Sequence, residues 1–364
     1  QETQSSSIGL GYRMLIHCDI FCRVVDNLGD AGVCWRLSRQ LAVEHGWKMR
    51  LWIDDLAPID ALAPGHGALP VAVHRWQEPF PDVEPAQVVV EAFACALPTS
   101  YVERMARLPQ PPVWLNLEYL SAEDWVTGCH ALPSPHPTLP LTKHFFFPGF
   151  VAGTGGLIRE QGADFGRPGV GSALAVSMFC YDNPALPALL EVWAHGDEPI
   201  VCRVADGLPR GQVAQWLGTP FSLGHAERRG SLDLVALPFL PQPDYDRLLG
   251  ACNLNFVRGE DSFVRAQWAK RPFVWQPYGQ ADGAHWPKLD AFLGLYEHDL
   301  SDDRRAATTD FFRAWNGQGD IAAAWPAFRA ALPALGDHAG PWAEKIASPG
   351  NLAENLVRFC AERL

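Results

Sequence analysis

The chain has 364 residues, 48% of them hydrophobic, and a formal net charge of -12 from 29 Lys and Arg against 41 Asp and Glu. That length favours two domains over one, and an apolar share that includes 14 Trp and 19 Phe is ample for two packed cores. The acidic balance and the lack of any Lys/Arg run exclude nucleic acid and anionic membrane as partners, and no apolar run is long enough to span a bilayer.

In chain order, residues 1–13 lack an initiating Met and read as a leader apart from the fold, with Met14 a natural start. A strongly apolar strand over 14–25 runs into the loop Asp26-Asn27-Leu28-Gly29-Asp30-Ala31-Gly32. A helix follows, with Val33, Leu37, Leu41 and Ala42 at helical spacing, ending near His45-Gly46. Strands are expected over 48–53, 71–74, 88–91 and 113–117, the last delivering Glu118, with a helix over 101–108. This alternation predicts a parallel sheet covered by helices on both faces. The stretch 121–150 is irregular and rich in proline and aromatics, and 151–172, with GTGG and GRPGVG, reads as a linker.

A second alternation then starts. A strand over 173–180 leads to Tyr181-Asp182-Asn183-Pro184 and a helix through Trp193. A strand over 199–204, a helix over 211–217, a strand over 232–237 and a helix from Pro241 through Leu249 follow. The stretch 253–280 reads strand, loop, helix, strand, its helix packing Phe263, Val264 and Trp268 on a sheet. Beyond it the chain is helical, interrupted near 317–319 and 336–340. The expected fold class is α/β, two open sheets facing across a cleft.

Ligands of such sheets bind at the carboxyl ends of strands. The loop Arg258-Gly259-Glu260-Asp261-Ser262 opens a helix there, so Asp261 and Ser262 either cap its free amides or stand beside a bound phosphate. The loop after the first strand is a poor dinucleotide fingerprint: Asn27 replaces the first glycine and Asp30 would face the pyrophosphate. Asp26 and Asp30 suit a cationic or hydroxyl-bearing substrate, or else are one cap and one turn residue. Asp54 and Asp55 read as turn residues. Asp244-Tyr245-Asp246 has the DxD form of some metal-dependent transferases, but it opens a helix, where acidic residues favour the dipole, and no metal site is expected. Tyr245 either stacks on a base or packs in the core, and the Tyr181 hydroxyl is placed to reach a phosphate. The nine cysteines are odd in number and lack a CxxC pair; Cys18 and Cys22 share one strand face. They read as buried thiols of a reducing, cytoplasmic compartment.

Seven segments together resemble one family: IFCRVVDNLGDAGVCWRLSRQLA (20–42), LWIDD (51–55), WLNLEYLSAEDWVTGCHALPSP (114–135), FFFPGF (145–150), FCYDNP (179–184), LPFLPQPDYDRLL (237–249) and NFVRGEDSFVRAQWAKRPFVWQPY (255–278). They are similar to the arginine rhamnosyltransferases that modify translation elongation factor P. The resemblance implies a GT-B fold of two Rossmann-like domains: an acceptor-binding one at 14–155, a linker at 156–172, and a nucleotide-sugar-binding one at 173–344, with a last helix near 345–364 packing back on the first. It implies TDP-β-L-rhamnose as donor, no metal or other cofactor, and one arginine of elongation factor P as acceptor. The modified factor would be active in rescuing ribosomes stalled at polyproline. Transfer would proceed with inversion.

The family's catalytic residues fall on Asp26, Asp30 and Glu260, and its donor-binding residues on Phe179, Tyr181, Gln242, Tyr245, Arg258, Glu260, Asp261 and Ser262. Tyr245 stands where many relatives carry Phe, which preserves stacking, and Cys18 where a Trp is common. Chemically, Asp30 is expected to take the proton of an arginine that Asp26 orients, while Ser262, Arg258 and the helix amides receive the leaving diphosphate. Glu260 is expected on sugar or ribose hydroxyls. Two rival readings are a GT-B transferase for a glycan or lipid acceptor and a non-catalytic nucleotide-sugar sensor.

Overall fold

The computed structural model describes residues 15–26, 28–169, 171–279 and 283–364. The expected leader, Met14, Asn27, Val170 of the linker and residues 280–282 lie outside the described residues.

The first half runs β1 (His17–Cys22), α1 (Gly29–His45), β2 (Lys48–Ile53), α2 (Ala57–Leu62), β3 (Val71–Arg75), β4 (Val88–Ala92), α3 (Thr99–Arg107), β5 (Val113–Leu117), α4 (Trp125–Cys129), β6 (Pro133–Pro135) and β7 (Thr142–Phe146). The strands lie in the order β3-β2-β1-β4-β5-β7-β6, parallel throughout except where β6 meets β7. Alternation along β1 serves two cores. Cys18, Ile20 and Cys22 pack with α1, whereas Phe21 packs with Trp52, Tyr101 and Trp114 on the opposite face. Covering on both faces is why every residue of β4 and β5 is buried, Glu91 and Asn116 included.

The second half runs β8 (Leu174–Met178), α5 (Leu186–His195), β9 (Ile200–Val204), α6 (Leu208–Leu217), β10 (Ala226–Arg229), β11 (Leu232–Ala236), α7 (Gln242–Ala251), β12 (Leu254–Arg258), α8 (Asp261–Trp268) and β13 (Phe273–Gln276). Its order is β10-β11-β9-β8-β12-β13, with only β10 antiparallel to its neighbour. Four helices close the chain: α9 (His285–Tyr296), α10 (Asp302–Trp315), α11 (Ile321–Ala347) and α12 (Leu352–Ala361). Leu352, Leu356 and Phe359 of α12 are buried in the core of the first sheet, and an Asn351–Glu354 capping box starts the helix there.

Three stretches differ from the sequence expectation. The irregular 121–150 region holds α4, β6 and β7, and its Pro133 and Pro135 sit on an edge strand, where a missing amide costs little. No break occurs at 336–340: α11 runs 27 residues through Pro326, Pro333 and Pro341, because Trp325, Phe328, Leu332, Leu335, Trp342 and Ile346 are all buried along it. The break at 317–319 is present, with Gly317 and Gly319 at φ 96 and 129. In the linker, residues 154–158 are buried, and a Cβ on Gly156 would lie 2.3 Å from the Gly350 carbonyl. Glycine there permits close packing.

The halves are joined by buried ions. Arg36 of α1 gives Nη1 and Nη2 to Asp246 of α7 at 3.1 and 3.0 Å, Nε to Asp261 of α8 at 2.7 Å, and Nη1 to Glu160 at 3.2 Å. Arg265 of α8 takes the same Asp246 at 3.1 and 2.7 Å and also pairs with Glu160. Burial pushes the Glu160 carboxyl up, but Arg265 and Arg36 outweigh it and hold the group at about 2. Both guanidiniums are nearly sealed from water, at 3% and 1% exposure. Breaking such a network from one side leaves carboxylates uncompensated. Arg36→Met should therefore cost about 3–5 kcal/mol of stability, read as a lower urea midpoint at pH 7; an unchanged midpoint would show the cluster to be energetically idle.

Candidate active site

In each sheet the strand order reverses beside a central strand, between β1 and β4 in the first and between β8 and β12 in the second. Loops at the carboxyl ends of those strands are the natural ligand positions of an open α/β sheet. Here the two sets of loops meet. One cavity is lined by Asp26, Asp30, Phe93, Tyr119, Glu260 and Lys288, a second by Phe179, Phe239, Gln242, Tyr245, Arg258 and Ser262, and Asp26 and Gly29 line both.

The first cavity is acidic. Asp30 is 2% exposed, and its Oδ2 accepts from the amides of Val25 and Asp26, each at 2.9 Å. The Tyr119 hydroxyl donates to its Oδ1 at 3.3 Å. Burial raises the Asp30 pKa, the two amides oppose this, and the charge of Asp26 adds to it. Asp30 is the second residue of α1, whose N-cap position is Leu28 with no side-chain cap. Its carboxylate fixes the preceding loop, so the reading of Asp30 as a helix cap fails. Asp26 Oδ2 accepts from the Tyr181 hydroxyl of the other half at 2.5 Å. Gly29 and Gly259 make that approach possible: a Cβ on either would lie 2.7 and 2.9 Å from Asp26 Oδ2. Burial raises Glu260 to about 8; the Leu120 amide and Lys288 act the other way, and the Asp30 charge adds to the rise. A carboxyl raised that far is poised to stay protonated near neutral pH and to offer a proton as well as accept one.

The second cavity is aromatic and ends on a helix. The Arg258 guanidinium lies 4.5 Å from the Phe179 ring centroid and 4.4 Å from that of Tyr181, and Phe179 meets Tyr245 edge-on at 5.7 Å. The N-terminus of α8 has Glu260 at its cap position with no side-chain cap. Neither Asp261 nor Ser262 caps it. Asp261 is held by Arg36 and by Gln242 Nε2 at 3.2 Å. The Ser262 hydroxyl accepts from the Arg258 amide at 3.1 Å and donates to its carbonyl at 2.5 Å. The start of α8, without a side-chain cap, thus lines the cavity at Asp261 and Ser262 with the helix dipole behind it.

The structure brings together all ten residues singled out in the sequence, and it changes the setting of several. Tyr181 directs its hydroxyl to Asp26 where a phosphate was expected. The second cavity, expected from the second half alone, is walled also by Asp26, Leu28, Gly29 and Leu62. Glu260 stands on the acidic side, beside Asp30 and Tyr119. Asp244 and Asp246 diverge, one paired with Arg247 at 2.9 Å at the surface, the other buried between two arginines. Among the described residues no three His, Cys, Asp or Glu are grouped to hold a metal ion. Phe93, Tyr119 and Lys288 escaped the sequence reading; Phe93 and Tyr119 follow the ends of β4 and β5, and that position was their signal. The arrangement can hold a cation against carboxylates, abutting a slot for a planar group and an anion.

A family model described as elongation factor P (EF-P) rhamnosyltransferase EarP matches residues 18–361. A curated relative, the protein-arginine rhamnosyltransferase of Pseudomonas putida, is 48% identical, with 94% of this chain and 97% of the relative covered. The solved structure described as the structural basis for EarP-mediated arginine glycosylation of translation elongation factor EF-P has a TM-score of 0.68 at 36% identity, covering 96% of this chain and 100% of the other. MurG of Acinetobacter baumannii, at TM-score 0.50 and 11% identity over 95% and 99% of the two chains, shares the fold alone. That fold is GT-B.

Glu260 gives this site a pH signature. Unfolded, the carboxyl ionises near 4.5; folded, it stays neutral to about 8. Its contribution to stability is full below the lower value and is lost as pH rises through the higher one. Glu260→Gln should therefore melt at a higher temperature than the parent at pH 8–9 and lose less stability between pH 5 and 8. Parallel melting profiles would contradict a neutral Glu260.

Proposed function

Since the chain belongs to the elongation factor P rhamnosyltransferase family, we propose that it moves L-rhamnose from TDP-β-L-rhamnose to one arginine side chain of elongation factor P, in the cytoplasm, with inversion and without a metal ion. One observation carries the reading: the acidic pocket around Asp30 and the cavity at the uncapped start of α8 lie side by side, with Asp26 and Gly29 lining both. A cation-accepting site abuts an anion-accepting one, as transfer from a nucleoside diphosphate to a guanidinium requires. Nine unpaired cysteines, eight of them buried, support a reducing compartment.

The chemistry follows from the charges. A guanidinium has a pKa above about 12 and its lone pair is delocalised, so it attacks only if held and relieved of a proton. Asp26 and Asp30 orient it. As the bond from nitrogen to the anomeric carbon forms and the bond to the diphosphate breaks, the nitrogen's proton passes to Asp30. Burial favours that step by raising the carboxylate's affinity for a proton. The departing diphosphate meets the amides of α8, Ser262 and Arg258, with negative charge developing where the dipole is positive. Tyr245, Phe179 and the aliphatic wall receive the thymine ring. Neutral Glu260 donates to sugar hydroxyls without adding charge. Direct attack opposite the diphosphate inverts the anomeric centre.

The deciding experiment incubates the protein with TDP-rhamnose and elongation factor P, with and without EDTA, and weighs the acceptor. One added deoxyhexose on an arginine peptide in both cases is expected; an unchanged mass with retained nucleotide binding would contradict the reading. Asp30→Asn keeps the shape and the acceptor atom for the two loop amides, so TDP affinity should hold while kcat falls by about 10²–10⁴-fold, as for a lost general base. Normal kcat would end that assignment. Tyr245→Ala should weaken TDP binding by roughly one to two orders of magnitude, the worth of one stacked base; parental affinity by calorimetry would place the base elsewhere.

A further inference from the structure

One wall of the acidic pocket is aromatic, and none of the steps above uses it. Tyr119, two residues past β5, is 38% exposed and stacks on Phe93 with centroids 4.3 Å apart and planes 14° apart. Phe93 reaches it through uncommon backbone: Phe93, Ala94 and Ala96 have φ of 56, 52 and 55, in the left-handed region that non-glycine residues avoid. Three bonds hold the loop there. The Phe93 amide donates to the Leu117 carbonyl at 2.7 Å, that of Ala94 to Asn116 Oδ1 at 3.1 Å, and that of Ala96 to Glu91 Oε1 at 3.2 Å. Strain maintained by surrounding structure is a mark of ligand sites.

A cation already lies over this platform. Lys288 Nζ of α9 is 5.7 Å from the Tyr119 ring centroid, in the cavity that also holds Asp26, Asp30 and Glu260. The ring's own hydroxyl donates to Asp30. A flat cation on Tyr119 would therefore present its edge N–H groups towards the carboxylate bonded to that same ring.

We propose that Tyr119, backed by Phe93, is the platform on which the acceptor guanidinium lies, and that Lys288 holds that place until the arginine arrives. This rests on the reading of the protein as an arginine transferase. A guanidinium is planar and more weakly hydrated than an ammonium, so it stacks on an aromatic face at lower desolvation cost and displaces the lysine. The same difference selects arginine over lysine as acceptor.

Steady-state transfer to elongation factor P tests this in the parent, Tyr119→Leu, Tyr119→Phe and Lys288→Met, with TDP affinity and melting temperature reporting folding. Tyr119→Leu should raise the acceptor KM by roughly 3- to 30-fold, the range of a cation–π contact, and leave the TDP-rhamnose KM parental. Tyr119→Phe keeps the ring and should keep the acceptor KM. It removes the hydrogen bond that favours ionised Asp30, so the rising limb of the kcat profile should move to higher pH, with Asp26, Glu260 and Lys288 unchanged around it. Lys288→Met should lower the acceptor KM. An active parent whose Tyr119→Leu variant binds acceptor normally, or whose Lys288→Met variant binds it worse, overturns the platform alone. A parent that transfers nothing overturns the transferase reading and the platform with it.

Discussion

Two guanidiniums nearly sealed from water, and the three carboxylates they bind where the halves of the chain meet, set the geometry on which the site depends. Arg36 and Arg265 share Asp246 in two bidentate pairs and share Glu160 between them, so neither arginine can turn without breaking both. Burying charge is costly, and a cluster of this kind is retained only when its bonds are well formed. Its effect is positional. Arg36 stands two turns into α1 and Arg265 one turn into α8, so fixing them fixes the two helix starts against each other. Gly32 allows the closeness, since a Cβ there would lie 3.1 Å from Asp261 Oδ2.

From that constraint the division of chemistry follows. The start of α1 carries Asp30 and the start of α8 carries Glu260, so two carboxyl groups from distant parts of the sequence face one pocket. Asp30 is kept chargeable by two loop amides, whereas Glu260 has little to offset its burial and stays neutral to about 8. One carboxyl can take a proton while the other gives a hydrogen bond. On the far side of Gly29 the surroundings turn aromatic, and the dipole of α8 supplies the positive end. The Tyr181–Asp26 bond spans the boundary between the two environments, tying the loop after β1 to the loop after β8.

Much of this was legible in the sequence because strand–loop–helix units leave local marks. Apolar runs ending in Asp26-Asn27-Leu28-Gly29-Asp30 and in Arg258-Gly259-Glu260-Asp261-Ser262 marked both loops as ligand positions at strand ends, while their place beside the reversals of strand order needed the fold. What stayed hidden depends on long-range placement. Asp246 resembles any acidic residue at a helix start, and its two arginines lie 210 positions before it and 19 after it. Tyr181 was located correctly, yet the partner of its hydroxyl depends on how the two sheets sit together. Asp261 and Ser262 fit the pattern of caps, and their side chains are engaged by Arg36 and by the Arg258 backbone. The unbroken α11 shows burial overriding propensity: the glycines at 336–340 predict an interruption that buried Leu335, Trp342 and Ile346 prevent.

A ternary crystal structure with TDP-rhamnose, or an inert analogue, and the arginine loop of the acceptor tests the central claim most directly. The account predicts the guanidinium within hydrogen-bond reach of Asp30 and Asp26, the β-phosphate on the amides of Asp261 and Ser262, and the buried Arg36–Asp246–Arg265 cluster unchanged between them. A guanidinium bound away from Asp30, or a diphosphate bound away from the start of α8, would contradict it.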